Sequence, residues 1–211
     1  MKITEYSHLL AAMLVIFVVA GFSLALKGQF NALGEIFIYS VVIIAVVIGA
    51  RKFVAHLLDA DVEHEIWQVY TYGFKPRDHF EKEKPFGIII PLLLSIISLG
   101  FLKFLPVLTY ETSAQKVRAS KRFGYYSYSS MTGMHNALIG VAGIVALWIL
   151  AIIAYLVNFE YLAEISAYYA FANLIPISSL DGTQIFFGSK VLYTIVATIT
   201  LIFFLYAIFL I

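Results

Sequence analysis

The chain has 211 residues, 62% apolar and 13% charged, with a mean hydropathy of +0.91. Soluble domains are nearer half apolar and a quarter charged, so this composition reads as a polytopic membrane protein forming one membrane domain over 1–211. A formal net charge of +1 gives nucleic-acid binding no electrostatic basis, and the absence of cysteine excludes disulfides, thiol nucleophiles and thiolate metal sites.

Apolar runs lie at 9–26, 36–50, 86–108, 137–157, 161–180 and 191–211, each close to the roughly 20 residues a helix needs to cross a bilayer. The first is longer than a signal-peptide core and lacks a small-residue cleavage site, so it reads as a retained helix. With its loop it occupies 1–34, ahead of a core over 35–211. The second run ends in Arg51, Lys52 and His56. The stretch 59–85 is polar around a β-like core, IWQVYTYGF, and RFGYYSYSS at 122–130 is similar. The two are expected to pair as a small β element at the membrane surface.

The run 86–108 is interrupted by Pro91, Gly100 and Pro106, as broken membrane helices often are. If it dips in and returns, 13 of the 14 Lys and Arg residues share one face, Lys103 included, and Lys27 alone lies opposite. If it crosses, Lys116, Arg118, Lys121 and Arg122 change sides and the asymmetry collapses. The charge pattern therefore predicts an all-α protein of the cell membrane with five crossings, a re-entrant segment and a cytoplasmic N-terminus. Six crossings is the alternative.

The stretch NLIPISSLDG, Asn173 to Gly182, places a carboxylate between two very apolar segments. Pro176 removes a backbone donor and breaks a helix, and Asp181 is expected near the cytoplasmic end. An aspartate there is either a helix-terminal turn residue or a functional group in need of a partner. His8, His79 and His135 read as interfacial or loop residues.

Asn173-x-x-Pro176-x-x-x-Leu180-Asp181-Gly182 resembles the second signature of the site-2 protease family, intramembrane zinc metallopeptidases that cut transmembrane segments of client proteins. The segment Ala137 to Trp148, with Gly140 and Gly143, resembles that family's small-residue helix, although Ile144 stands where Pro is usual and Leu147 where Asn is usual. The resemblance implies a three-helix core made of the second helix, the ALIGVAG helix and the LDG helix, with Asp181 as a zinc ligand. It also implies an HExxH motif in the second helix. With KFVA in register, those positions are Val47, Ile48 and Arg51. Valine and isoleucine offer no donor atom, and arginine stays protonated and repels a cation.

Two readings of the site follow. In one the ligands have moved: HEIWQ supplies His64 and Glu65, with Gln68 replacing the second histidine, and His56 is a further candidate. These with Asp181 would hold zinc in an active enzyme. In the other, Arg51 occupies a ligand position and pairs with Asp181, each charge making the other tolerable. The plainer alternative makes Arg51 and Lys52 interfacial anchors that snorkel to the surface. The expected function is an inactive homologue, without zinc, that binds or stabilises membrane helices, with lipid and transmembrane segments of clients as partners. A transport or structural protein is the remaining class, but few polar groups interrupt the apolar runs beyond Ser95, Ser98, Asn173, Ser178 and Ser179.

Overall fold

The computed structural model describes residues 3–71, 79–115 and 131–210. In chain order these form α1 (Ile3–Leu26), α2 (Leu33–Leu57), β1 (Ala60–Ile66), β2 (Val69–Thr71), β3 (His79–Lys84), α3 (Phe86–Ile97) and β4 (Leu108–Ala114). They continue as α4 (Gly133–Leu156), α5 (Glu160–Leu174), α6 (Asp181–Gly188) and α7 (Lys190–Leu210). Among the described residues, α1, α2, α4 and α7 are long and apolar enough to cross a membrane, the architecture of a helical membrane protein.

Each central helix buries a stripe at three- and four-residue spacing, the period that puts side chains on one helical face. In α1 the stripe runs Glu5, Leu9, Ala12, Ile16 and Val19. In α2 it runs Ser40, Ile44, Val47, Arg51 and Ala55. Helix α4 is the hub and packs against α2, α5 and α6. Thr132 caps it, its hydroxyl accepting from the His135 backbone N–H, which fills one of the four orphan donors at a helix start.

The run expected at 161–180 is not one helix. It stops at Leu174, turns through exposed residues 176–179, and restarts as α6 at Asp181. Pro176 cannot continue the ladder, and Ser178 takes a left-handed φ of 52° that no helix accommodates. Helix α6 then lies along α4 with Gly188 against Gly133 and Ile185 against Gly140. Asp181 thus sits roughly 10 Å inside the end of the bundle where α4 begins, at 1.5 Å per residue, and not at its mouth.

Residues 86–108 form a hairpin. The Trp67 N–H donates to the Val107 carbonyl at 2.8 Å, and the Trp67 carbonyl accepts from the Gly87 N–H at 2.8 Å, so the two ends of the segment share one residue as a neighbour. Helix α3 leaves from there. The chain reverses at Leu99 and Gly100, both at positive φ (53° and 79°), against the backbone of Ser23 near the end of α1. It returns extended to β4. Lys103, on the return limb, pairs with Glu164 at 2.6 Å. That places Lys103 at the end holding Lys27 and the start of α5, which corrects its expected place beside the other basic residues.

Strand β1 pairs antiparallel with β4, from Ala60↔Ala114 to Ile66↔Leu108, and β2 pairs with β3. The expected partner, 122–130, lies outside the described residues. The apolar run 86–108 concealed β4, which begins where hydropathy falls. The core joins α1, α2, α4 and α5 through residues such as Ile16, Ile44, Val47, Ile144, Leu147 and Tyr169.

Candidate functional site

Arg51 and Asp181 form a buried ion pair, each 1% exposed, with Nη2 of the guanidinium donating to Oδ2 of the carboxylate. Three elements position it. Helix α2 brings Arg51 on its buried stripe, one turn beyond Val47. Helix α6 presents Asp181 in its first turn, where the exposed N–H groups and the helix dipole favour a negative charge. Helix α4 leaves the room: a Cβ on Gly143 would sit 2.8 Å from Arg51 Nε. The Tyr110 ring from β4 covers the guanidinium, its centroid 4.8 Å from Cζ, a cation–π contact that partly replaces the lost water.

The LDG stretch folds this way for steric reasons. A Cβ at Gly182 would overlap the Leu174 carbonyl, so only glycine lets α6 restart against the end of α5. Leu180 is fully buried and anchors the restart. Asn173, 1% exposed, donates from Nδ2 to the Tyr169 carbonyl at 2.9 Å and to the Leu105 carbonyl at 3.3 Å. It therefore ties the return limb of the hairpin to α5. Pro176 lies in the exposed turn. Gly140, expected to bring helices close, admits Ile185 of α6 and also the Tyr110 hydroxyl, whereas Gly143 makes space for the Arg51 side chain.

The candidate ligands are dispersed. Val47 is fully buried, and Ile48, on the neighbouring face, packs partly buried against the core. His56 is exposed near the end of α2. His64 and Glu65 are consecutive in β1, so their side chains leave opposite faces of the sheet. In a helical HExxH the two histidines are one turn apart on one face, a geometry β1 lacks. Among the described residues no three His, Asp or Glu side chains converge. The guanidinium already engages Asp181. The residues at this place do not fit a zinc ion.

His64 is not the exposed strand residue its polar neighbours suggest. It is fully buried, with Nδ1 3.3 Å from Oε1 of Glu5. The same oxygen lies 3.0 Å from Lys52 Nζ. Burial, reinforced by the positive charge of Arg51, pushes the His64 imidazole down to about 3 and outweighs the opposing pull of Glu5. The ring is neutral at physiological pH. Burial likewise raises the Tyr110 phenol, whose hydroxyl donates to the Asn136 carbonyl at 2.6 Å. Sequence reasoning missed Glu5 because it precedes the first apolar run. The available signal was its place in the stripe with Leu9, Ala12 and Ile16.

Chemically, the pair is a neutral, well-packed charge couple. Nε and Nη1 of Arg51 and Oδ1 of Asp181 have no protein partner among the described residues, so a water or a backbone amide can still bond there. Neither group is placed as a general base: the carboxylate is held by a cation that never releases its proton. No family model, curated protein or solved structure matches the chain.

Proposed function

We propose that this protein is a catalytically silent relative of the site-2 proteases, a multi-pass membrane protein that binds or stabilises membrane helices where its active relatives would cut them. The buried Arg51–Asp181 pair carries the reading. It joins the degenerate HExxH position on α2 to the aspartate of the LDG motif across the glycine-bearing helix α4. Those are the three segments in which the resemblance was found, and α2 and α6 both pack on α4. A random coincidence of LDG in a membrane helix gives no reason for its aspartate to meet Arg51, one of the two residues standing in a zinc-ligand register.

The same reading takes the α5–α6 pair as a fifth crossing. The two helices have 15 and 8 residues, about 22 and 12 Å, and together match a hydrocarbon core of about 30 Å. Broken helices of this kind occur in membranes where the freed backbone is covered by protein or lines a cavity. The hairpin 86–108 is then the re-entrant segment. With α1 starting at the sheet end, the basic residues of that end support a cytoplasmic N-terminus.

The test is zinc content per chain of the detergent-purified protein and of Asp181→Ala, measured by metal emission spectroscopy after dialysis against a zinc buffer. The expected result is no stoichiometric zinc in either. About one zinc in the wild type, lost in Asp181→Ala, would overturn the reading and return the active enzyme, with His56, His64 and Glu65 as the next residues to substitute.

A further inference from the structure

We propose that the end of the bundle away from the sheets holds a membrane phospholipid, its phosphate bound by Lys27 and Lys103 and one chain lying in a groove between α4, α5 and α7. This site is separate from the Arg51–Asp181 pair and does not rest on the protease resemblance.

The head of the site is a cup of about 430 Å³ lined by Ser23, Lys27, Gly100, Lys103, Glu164 and Tyr168. The hairpin tip closes it: Gly100 stands on Ser23, and the return limb delivers Lys103. Lys103 is 12% exposed, bonds Glu164 at 2.6 Å and lies 5.8 Å from the Tyr168 ring centroid. Among the described residues, Lys27 and Lys103 are the basic side chains at this end, and both line the same cup. Two ammonium groups against one carboxylate leave one net positive charge, which matches a phosphodiester. An end of a membrane protein that is otherwise poor in cations does not bring two lysines together by the general rule of loop charge.

The tail of the site is an apolar groove of about 250 Å³, lined by Ala151, Ala163, Ala167, Phe203, Tyr206 and Ala207 among others. Alanines on three facing helices create the hollow. Ala207 borders both the groove and the cup, so the headgroup and chain sites are adjacent. Tyr155 and Tyr206 meet edge to face at 5.4 Å beside the groove, the amphipathic residues favoured at headgroup level. Helices α4 and α7 are both long and apolar enough to span a membrane, so an acyl chain is the apolar body available to fill the groove between them.

The experiment is native mass spectrometry and thermal unfolding of the full chain in neutral detergent. The additives are phosphatidylglycerol, a digalactosyl diacylglycerol with the same chains, and inorganic phosphate. Phosphatidylglycerol should remain bound at one per chain and raise Tm, with the other two giving much less. Lys27→Gln, at an exposed position, should weaken lipid binding about fivefold, the factor one lysine contributes near an anionic headgroup. Glu164→Gln should tighten it by a similar factor by freeing Lys103. Equal binding of the galactolipid would overturn phosphate recognition. An equal effect of inorganic phosphate would overturn the lipid. Unchanged binding in both variants would overturn the lysine cup.

Discussion

A guanidinium and a carboxylate, each 1% exposed, face each other where a membrane protein tolerates neither alone. The resemblance to the site-2 proteases offered the partnership as one reading, since it puts Arg51 in a ligand register through KFVA and marks Asp181 through LDG. Its energetic signature is non-additivity. Arg51→Met or Asp181→Leu alone should cost about 3–5 kcal/mol by stranding the other charge, while the double variant should recover most of that loss. Thermal unfolding of all four proteins in one detergent gives the cycle, with Arg51→Asp/Asp181→Arg as the exchange of charges. Additive losses, with no recovery in the double variant, would show that the pair contributes packing only. The residue-scale failure of sequence reasoning was Glu5, which a hydropathy window excludes because it reads sums and not faces.

At the scale of the element, the break between α5 and α6 makes the site. A continuous helix from 161 would have kept the Asp181 side chain on a helical face one residue's rotation from Leu180. The interruption frees α6 to align with α4 and turn Asp181 inward to Arg51. Glycine is required at 182 because the neighbouring carbonyl of Leu174 occupies the space of a Cβ. Gly182→Ala should therefore cost more than about 3 kcal/mol and lower Tm sharply, since the obstacle is backbone and cannot yield as a side chain would. Gly143→Ala meets Nε and Cγ of Arg51 at 2.8 and 3.4 Å and should instead displace the ion pair, a loss that the Arg51→Met/Asp181→Leu background should largely remove. A Gly182→Ala loss that also disappears in that background would mean that the ion pair, and not the restart of α6, limits stability. The return of the hairpin was only half visible: Pro91, Gly100 and Pro106 signalled an interruption, but an apolar extended limb and an apolar helix are indistinguishable by hydropathy.

The whole molecule is joined at the sheet end by a second polar cluster, in which Glu5 of α1 meets Lys52 of α2 and His64 of β1. Here pH should report directly on folding. The His64 imidazole titrates near 3 when folded and near 6.5 when unfolded, so between those values only the unfolded chain takes up the proton. Stability contributed by the neutral ring is present above pH 6.5 and is lost as pH falls toward 3, with a slope of up to about 1.4 kcal/mol per pH unit. Unfolding midpoints of the wild type should therefore fall more steeply from pH 6.5 to 4.5 than those of His64→Gln. Parallel curves would refute a buried neutral histidine. Lys103 joins Lys27 at the end opposite the sheets, which removes it from the basic face that the loop-charge pattern assigned to it.

By itself the sequence determined the four long helices and the interruption at Pro176, and the resemblance to the site-2 proteases offered the Arg51–Asp181 pair as one of its readings. These depend on local composition and periodicity, or on a motif short enough to be read along one line. Only the tertiary structure decided that β1 pairs with β4 across more than forty residues, that His64 turns inward to Glu5, and that Gly143 houses an arginine and not a helix. It also decided that Lys103 crosses to the far end. The physical reason is common to all four: each is a pairing between distant segments, and its energy comes from burial and partner geometry that neither segment encodes alone.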